Sequence, residues 1–206
     1  MPVEVLKQWE DDIIEQFRNR FQLDLPDWQD LDVLAYAQHH GAPTRLLDWS
    51  RNPFIGLWFA VSDRNCNSRD GVVFQLLIPS DGAICLSENS PLKHMDECAK
   101  SIHVFSSPHR IDRTERQRSV FSIATFNDEV ALKPLNEVAG HEQFLRSFSV
   151  PAQMKGDIRR LLSLLALDAN SVYGDADSFG KALGLRLDIS DFDLMDPTPP
   201  ASGAKP

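Results

Sequence analysis

The chain has 206 residues, 42% hydrophobic and 25% charged, the composition of a soluble globular domain that buries a core without staples. Its formal net charge of -9 argues against broad binding to nucleic-acid phosphate, which needs clustered lysine and arginine. Cys66, Cys85 and Cys98 are odd in number and lack CxxC spacing, so they form no disulfide framework and fit a reducing cytoplasm.

The polar, acidic N-terminus MPVEVLKQWEDD is unlike a secretory signal. No apolar run approaches the roughly 20 residues of a membrane span. A single domain over residues 1–190 is expected, with a Pro-rich disordered tail at 191–206. In chain order, residues 3–21 read as a helix whose buried stripe would be Val5, Trp9, Ile13, Phe17 and Phe21. Pro26 breaks it, and Asp27 suits the N-cap of a second helix bearing Leu31, Leu34, Ala35 and Gln38 on one face. Gly41 and Pro43 should stop that helix. Residues 44–48 follow as a short strand. Pro53 fits the first turn of a third helix, 53–61, apolar on nearly all sides and therefore expected to be deeply buried.

Gly71 opens a strand, VVFQLLIP, whose near-continuous apolar run suggests a central position in a sheet. Residues 80–101 carry no clear pattern. A short strand at 102–105 precedes a polar loop at 107–117. Residues 120–126 and 144–150 alternate and read as strands. A helix at 153–167 would bury Met154, Ile158, Leu161, Leu162 and Leu165, and residues 177–183 suggest one more short helix. Helices, then strands, then helices again give an α+β fold with a small central mixed or antiparallel sheet.

The polar residues concentrate in 34–61, LAYAQHHGAPTRLLDWSRNPFIGLWFAV, where a Gly-Ala-Pro bend separates two apolar stretches. His39 and His40 are adjacent, roughly 100° apart on a helix, and lack the i, i+4 spacing of a metal site, so no metal is expected. Alternation puts Thr44, Leu46 and Asp48 on one strand face and Arg45, Leu47 and Trp49 on the other. Arg45 suits either an ion pair with an acid or a phosphate contact. Ser50 and Asn52 are placed to cap the third helix. Arg110, Arg113, Arg116 and Arg118 lie close together, but Asp112 and Glu115 dilute them into a solvated mixed-charge segment.

Residues 38–60, QHHGAPTRLLDWSRNPFIGLWFA, resemble the signature of the FRG domain family, Q-H-x-G-x-P-T-R-L-L-D-W-T/S followed by an apolar helix. Residues 116–123, RQRSVFSI, are similar to its Q-x-G-x-F segment, with Ser119 in place of Gly and Phe121 at its end. Residues 144–183 resemble its closing strand and helices. The F/Y-R-G strand that names the family has no match here, since Phe17-Arg18-Asn19 falls within a predicted helix.

The resemblance implies a layout like that of ADP-ribosyltransferases and a bacterial or phage toxin or defence setting. NAD would then be the cofactor. Gln117, His40 and Ser50 would be the catalytic candidates. Gln38, His39, Thr44, Arg45, Asp48, Trp49 and Phe121 would be the cofactor-binding candidates, with Trp49 or His40 stacked on nicotinamide. The alternative is a non-catalytic binding or regulatory module on the same scaffold, truncated before the F/Y-R-G strand and working with a protein partner. A nuclease or hydrolase is a third possibility, weakened by the acidic balance and the lack of a paired-carboxylate motif.

Overall fold

The computed structural model describes residues 2–21, 28–78, 84–86, 92, 102–107, 112–126, 134–138, 140–174, 176 and 180. The expected cap at Asp27, the helix at 177–183 apart from residue 180, and the tail at 191–206 lie outside these residues. Helices α1 (Val3–Arg20) and α2 (Asp30–His39) come first, followed by strand β1 (Leu46–Ser50) and helix α3 (Pro53–Ser62). Strands β2 (Gly71–Leu76), β3 (Ile84–Leu86) and β4 (Ile102–Phe105) precede helix α4 (Asp112–Gln117). Strands β5 (Ser119–Ala124) and β6 (Leu145–Val150) and helices α5 (Lys155–Leu164) and α6 (Ala169–Tyr173) complete the described fold.

The fold is α+β. One sheet has four strands in the order β1-β5-β4-β3, antiparallel except for the parallel β3–β4 pair. The other pairs β2 with β6, antiparallel. β1 runs against β5 so that Asp48 faces Phe121 and Ser50 faces Ser119. The pleat sends alternate residues to opposite faces. Leu46, Phe121 and Ile123 therefore pack against Ile14 of α1 and Leu31 and Leu34 of α2. Val120, Ile102 and Val104 face the other way and meet Phe144 and Leu145 at the start of β6, with Trp49 packed beside them. A third cluster joins Trp58 and Val61 of α3 to Val150, Leu162 and Val172. Leu34 and Val61 are fully buried, which removes about 1.5–3 kcal/mol of apolar surface each from water.

Local signals explain the boundaries. Gln29 and Asp32 form a reciprocal capping box that starts α2. Gly41, at φ +86°, lets the chain turn left-handed where α2 ends. Asn52 accepts from the Phe54 N–H and Pro53 occupies the first turn of α3.

Several expectations need correction. The buried side chains of α1 are Leu6, Glu10 and Ile14, while Val5 and Trp9 are exposed. The stripe was displaced because Glu10, polar and so passed over, turns inward to meet Arg45. On α5 the buried residues are Lys155 and Leu162, whereas Leu161 and the flanking Met154 and Leu165 face solvent. On α3, Phe54 and Phe59 are exposed although Ile55, Trp58 and Val61 are buried. Among the described residues β2 lies in a two-stranded sheet rather than at the centre of a larger one, and Val72 and Phe74 are exposed. The segment expected to be a loop at 107–117 contains α4, and α6 was not anticipated. No helix among the described residues is long and apolar enough to cross a membrane.

Gly71 shows how closely β2 approaches α3. A Cβ built there would lie 2.5 Å from the Ala60 carbonyl oxygen, a backbone atom that cannot step aside. Gly71→Ala should destabilise the protein by about 1–3 kcal/mol, as overpacking does. Urea unfolding of the variant measures this, and an unchanged midpoint would mean that α3 and β2 separate at no cost.

Candidate functional site

The bend between α2 and β1 is built from side-chain hydrogen bonds. Gln38, in the last turn of α2, donates from Nε2 to Asp48 Oδ2 at 2.8 Å. Its Oε1 accepts from the Thr44 hydroxyl, and Thr44 Oγ1 in turn accepts from the Leu46 N–H at 3.3 Å. Gln38, Thr44 and Asp48 thus fix one another, with both ends of the Gln38 amide used.

Gln117 enters from the other side. It is the last residue of α4, immediately before the turn into β5. Its carbonyl accepts from Ser50 Oγ at 2.7 Å, and Ser50 Oγ also accepts from the Asn52 N–H at 3.0 Å. Across the same turn, the Arg51 N–H donates to the Arg118 carbonyl at 3.1 Å. The end of β1 is therefore stitched to the end of α4 by two hydrogen bonds. Gln117 is only 9% exposed, and its Nε2 has no hydrogen-bond partner among the described residues. A buried amide donor without a partner costs about 1–3 kcal/mol, so such groups call for an explanation.

Gln38, His39, Asp48, Gln117, Ser119 and Phe121 surround a cavity of about 50 Å³. Its size suits a small polar group rather than a whole ligand. A larger cleft of about 490 Å³ adjoins it, and Thr114, Ser119 and Phe121 line both. The Phe121 ring is stacked on Phe105, with centroids 5.5 Å apart, which holds the shared wall in place.

Of the residues singled out in the sequence, the fold brings Gln38, His39, Asp48, Gln117 and Phe121 to one cavity. Thr44 stands behind Gln38 as its support. The others do not line it. Trp49 is on the opposite face of β1 from Asp48, and its indole donates to Ser122 Oγ at 2.8 Å. His40 is exposed and packs edge-on against Tyr36, with ring centroids 4.5 Å apart. The hydroxyl of Ser50 is engaged by backbone on both sides.

Arg45 lines neither cavity. Its guanidinium forms a two-pronged pair with Glu10, Nε to Oε2 at 2.8 Å and Nη2 to Oε1 at 2.9 Å. It also donates to the Ala124 carbonyl and lies over the Phe126 ring, 3.7 Å from the centroid. Of the two readings open for Arg45, the geometry is that of the ion pair. Sequence reasoning missed Thr114, Ser119 and Arg51 as lining residues. Thr114 carried no signal, because its segment read as loop. Among the described residues, no group of three His, Cys, Asp or Glu is placed to hold a metal ion.

The segment that supplies Gln38, His39 and Asp48 is also the one that relates to a known family. Residues 2–69 match the FRG domain model. The FRG match bears out the resemblance drawn from residues 38–60, whereas the similar segments at 116–123 and 144–183 lie outside it. Phe17-Arg18-Asn19 lies within the matched range but on α1, where Arg18 donates to the Trp28 carbonyl at 2.7 Å and to Asp30 at 2.9 Å. No curated protein and no solved structure matches the chain.

Proposed function

We propose that this pocket binds NAD and that the FRG-matching chain is an ADP-ribosyltransferase-like enzyme of a bacterial or phage toxin or defence system. The observation that carries this reading is the buried Gln117 amide, whose Nε2 has no hydrogen-bond partner among the described residues, beside Gln38, His39 and Asp48. A polar, enclosed recess next to a ligand-sized cleft is the usual form of a small-molecule site. The order of the parts adds support, with a short strand leading into an apolar helix and a glutamine entering the same recess from a later segment.

In this reading the Gln117 amide donates to the ribose hydroxyls of the nicotinamide nucleoside and fixes the sugar. The bond between the anomeric carbon and the nicotinamide nitrogen breaks, and the leaving group takes the electron pair as neutral nicotinamide. The sugar passes through an oxocarbenium-like state. The acceptor's lone pair forms the new bond to the anomeric carbon, and the acceptor's proton passes to a base. His39 is the candidate base at the pocket wall. An amide has no basic site for this step, so Gln117 positions and does not deprotonate.

A non-catalytic binding module is favoured by one specific observation: Asp48 already accepts from Gln38, which ties the pocket carboxylate to a structural network. Calorimetric titration with NAD, followed by chromatographic assay for free nicotinamide, separates the two. Binding with nicotinamide release supports the enzyme. Binding without release leaves the module, and absence of binding overturns the NAD reading.

A further inference from the structure

We infer that the 490 Å³ cleft beside the Gln117 recess is a diphosphate subsite, with Arg51 and Arg118 as its two cations. The proposal rests on the NAD reading only for the identity of the complete ligand. Arg51 directly follows β1, and Arg118 sits between α4 and β5. Their main chains are hydrogen-bonded, Arg51 N–H to Arg118 carbonyl at 3.1 Å, so both guanidinium groups spring from one point at the sheet end.

Neither arginine takes part in an ion pair among the described residues. Arg51 donates to Ser106 Oγ at 3.0 Å, a neutral contact that leaves its other donors available. Arg118 holds φ +49°, a left-handed conformation that side chains other than glycine seldom adopt. Such backbone persists where the surroundings enforce it, and it concentrates at ligand sites. Here the hydrogen bonds on either side of the turn enforce it.

Ser106 and Ser119 add hydroxyls to the same lining, and Glu115 contributes a carboxylate, so the described lining carries one net positive charge. Planar, weakly hydrated guanidinium groups bind phosphate oxygens in pairs. The volume lies within the range of small-molecule sites. The chain's net charge of -9 disfavours a polynucleotide. The chemistry recognised is thus a diphosphate, whether within a dinucleotide or in a free nucleoside diphosphate.

The test measures binding of pyrophosphate, ADP, ADP-ribose, NAD and nicotinamide riboside to the full chain by calorimetry. Arg51→Gln and Arg118→Gln should each weaken ADP-ribose about tenfold, and the double variant about a hundredfold, with nicotinamide riboside unchanged. Arg118→Gly is a second probe, because glycine accepts φ +49° without strain. It should keep the fold and still lose affinity. Tighter binding of ADP-ribose than of ADP marks the dinucleotide as the source, and equal binding marks the free nucleotide; both support the subsite. ADP-ribose bound by the double variant as tightly as by the wild type would overturn it, as would failure of ADP and pyrophosphate to bind at all. Should NAD fail to bind while ADP binds in an arginine-dependent way, the NAD reading falls and the subsite stands.

Discussion

Replacing Glu10 by alanine is expected to destabilise the protein by about 3–5 kcal/mol, because it takes a two-pronged carboxylate away from the buried Arg45 guanidinium. The two side chains are 6% and 5% exposed, and their two hydrogen bonds are of near-ideal length. The guanidinium cannot swing to water without also giving up the Ala124 carbonyl and the Phe126 ring. The pair ties α1 to the segments flanking β1 and β5, so its loss should loosen the packing between the first helix and the sheet. Urea denaturation of E10A, R45A and the double variant measures it. The double variant should be far more stable than the sum of the single losses predicts, since removing both partners leaves no orphaned charge. A loss below about 1 kcal/mol for E10A would show that the pair contributes little and that water reaches Arg45 freely.

The second large effect is functional and leaves the fold intact. On the proposed NAD reading, Gln117→Ala should lower nicotinamide release about a hundredfold, in the range found when one preorganised donor is removed from a reacting centre. Stability should change by less than about 1 kcal/mol, because Gln117 Nε2 makes no hydrogen bond among the described residues and only the amide and its apolar stem are lost. Gln117→Met is the sharper version. It keeps the volume, removes a buried donor without a partner, and should unfold at a slightly higher temperature while remaining inactive. This opposite movement of stability and activity is the mark of a group kept for its ligand. Activity retained in both variants would mean that the amide is a structural accident.

How much of this was legible in the sequence depended on the signal. The bend was readable because Gly41 and Pro43 terminate α2 where the polar residues cluster, and alternation separated Asp48 from Trp49 correctly. The partner of Arg45 was not readable, since Glu10 lies 35 residues away on a helix where Val5 and Trp9, both exposed, suggested a different buried face. α4 was hidden by its composition: Asp112–Gln117 is polar throughout and has no apolar face to reveal a helix. The position of β2 was misread because burial of an apolar strand depends on which strands join it, and a run such as VVFQLL looks the same at a centre and at an edge. Gln117 was found through its family-like neighbours, but its lack of a partner emerged only from three-dimensional placement.

The stitched end of β1 has a practical consequence for anyone trimming this protein. The range 2–69 supplies Gln38, His39 and Asp48, while Thr114, Gln117, Ser119 and Phe121 come from sequence well past it. A fragment cut at the edge of recognisable similarity would hold one jaw of the socket and lose the other, along with the β5 strand that β1 leans on. Boundaries drawn by kinship and boundaries drawn by the binding unit do not coincide here, and expression designs should follow the latter.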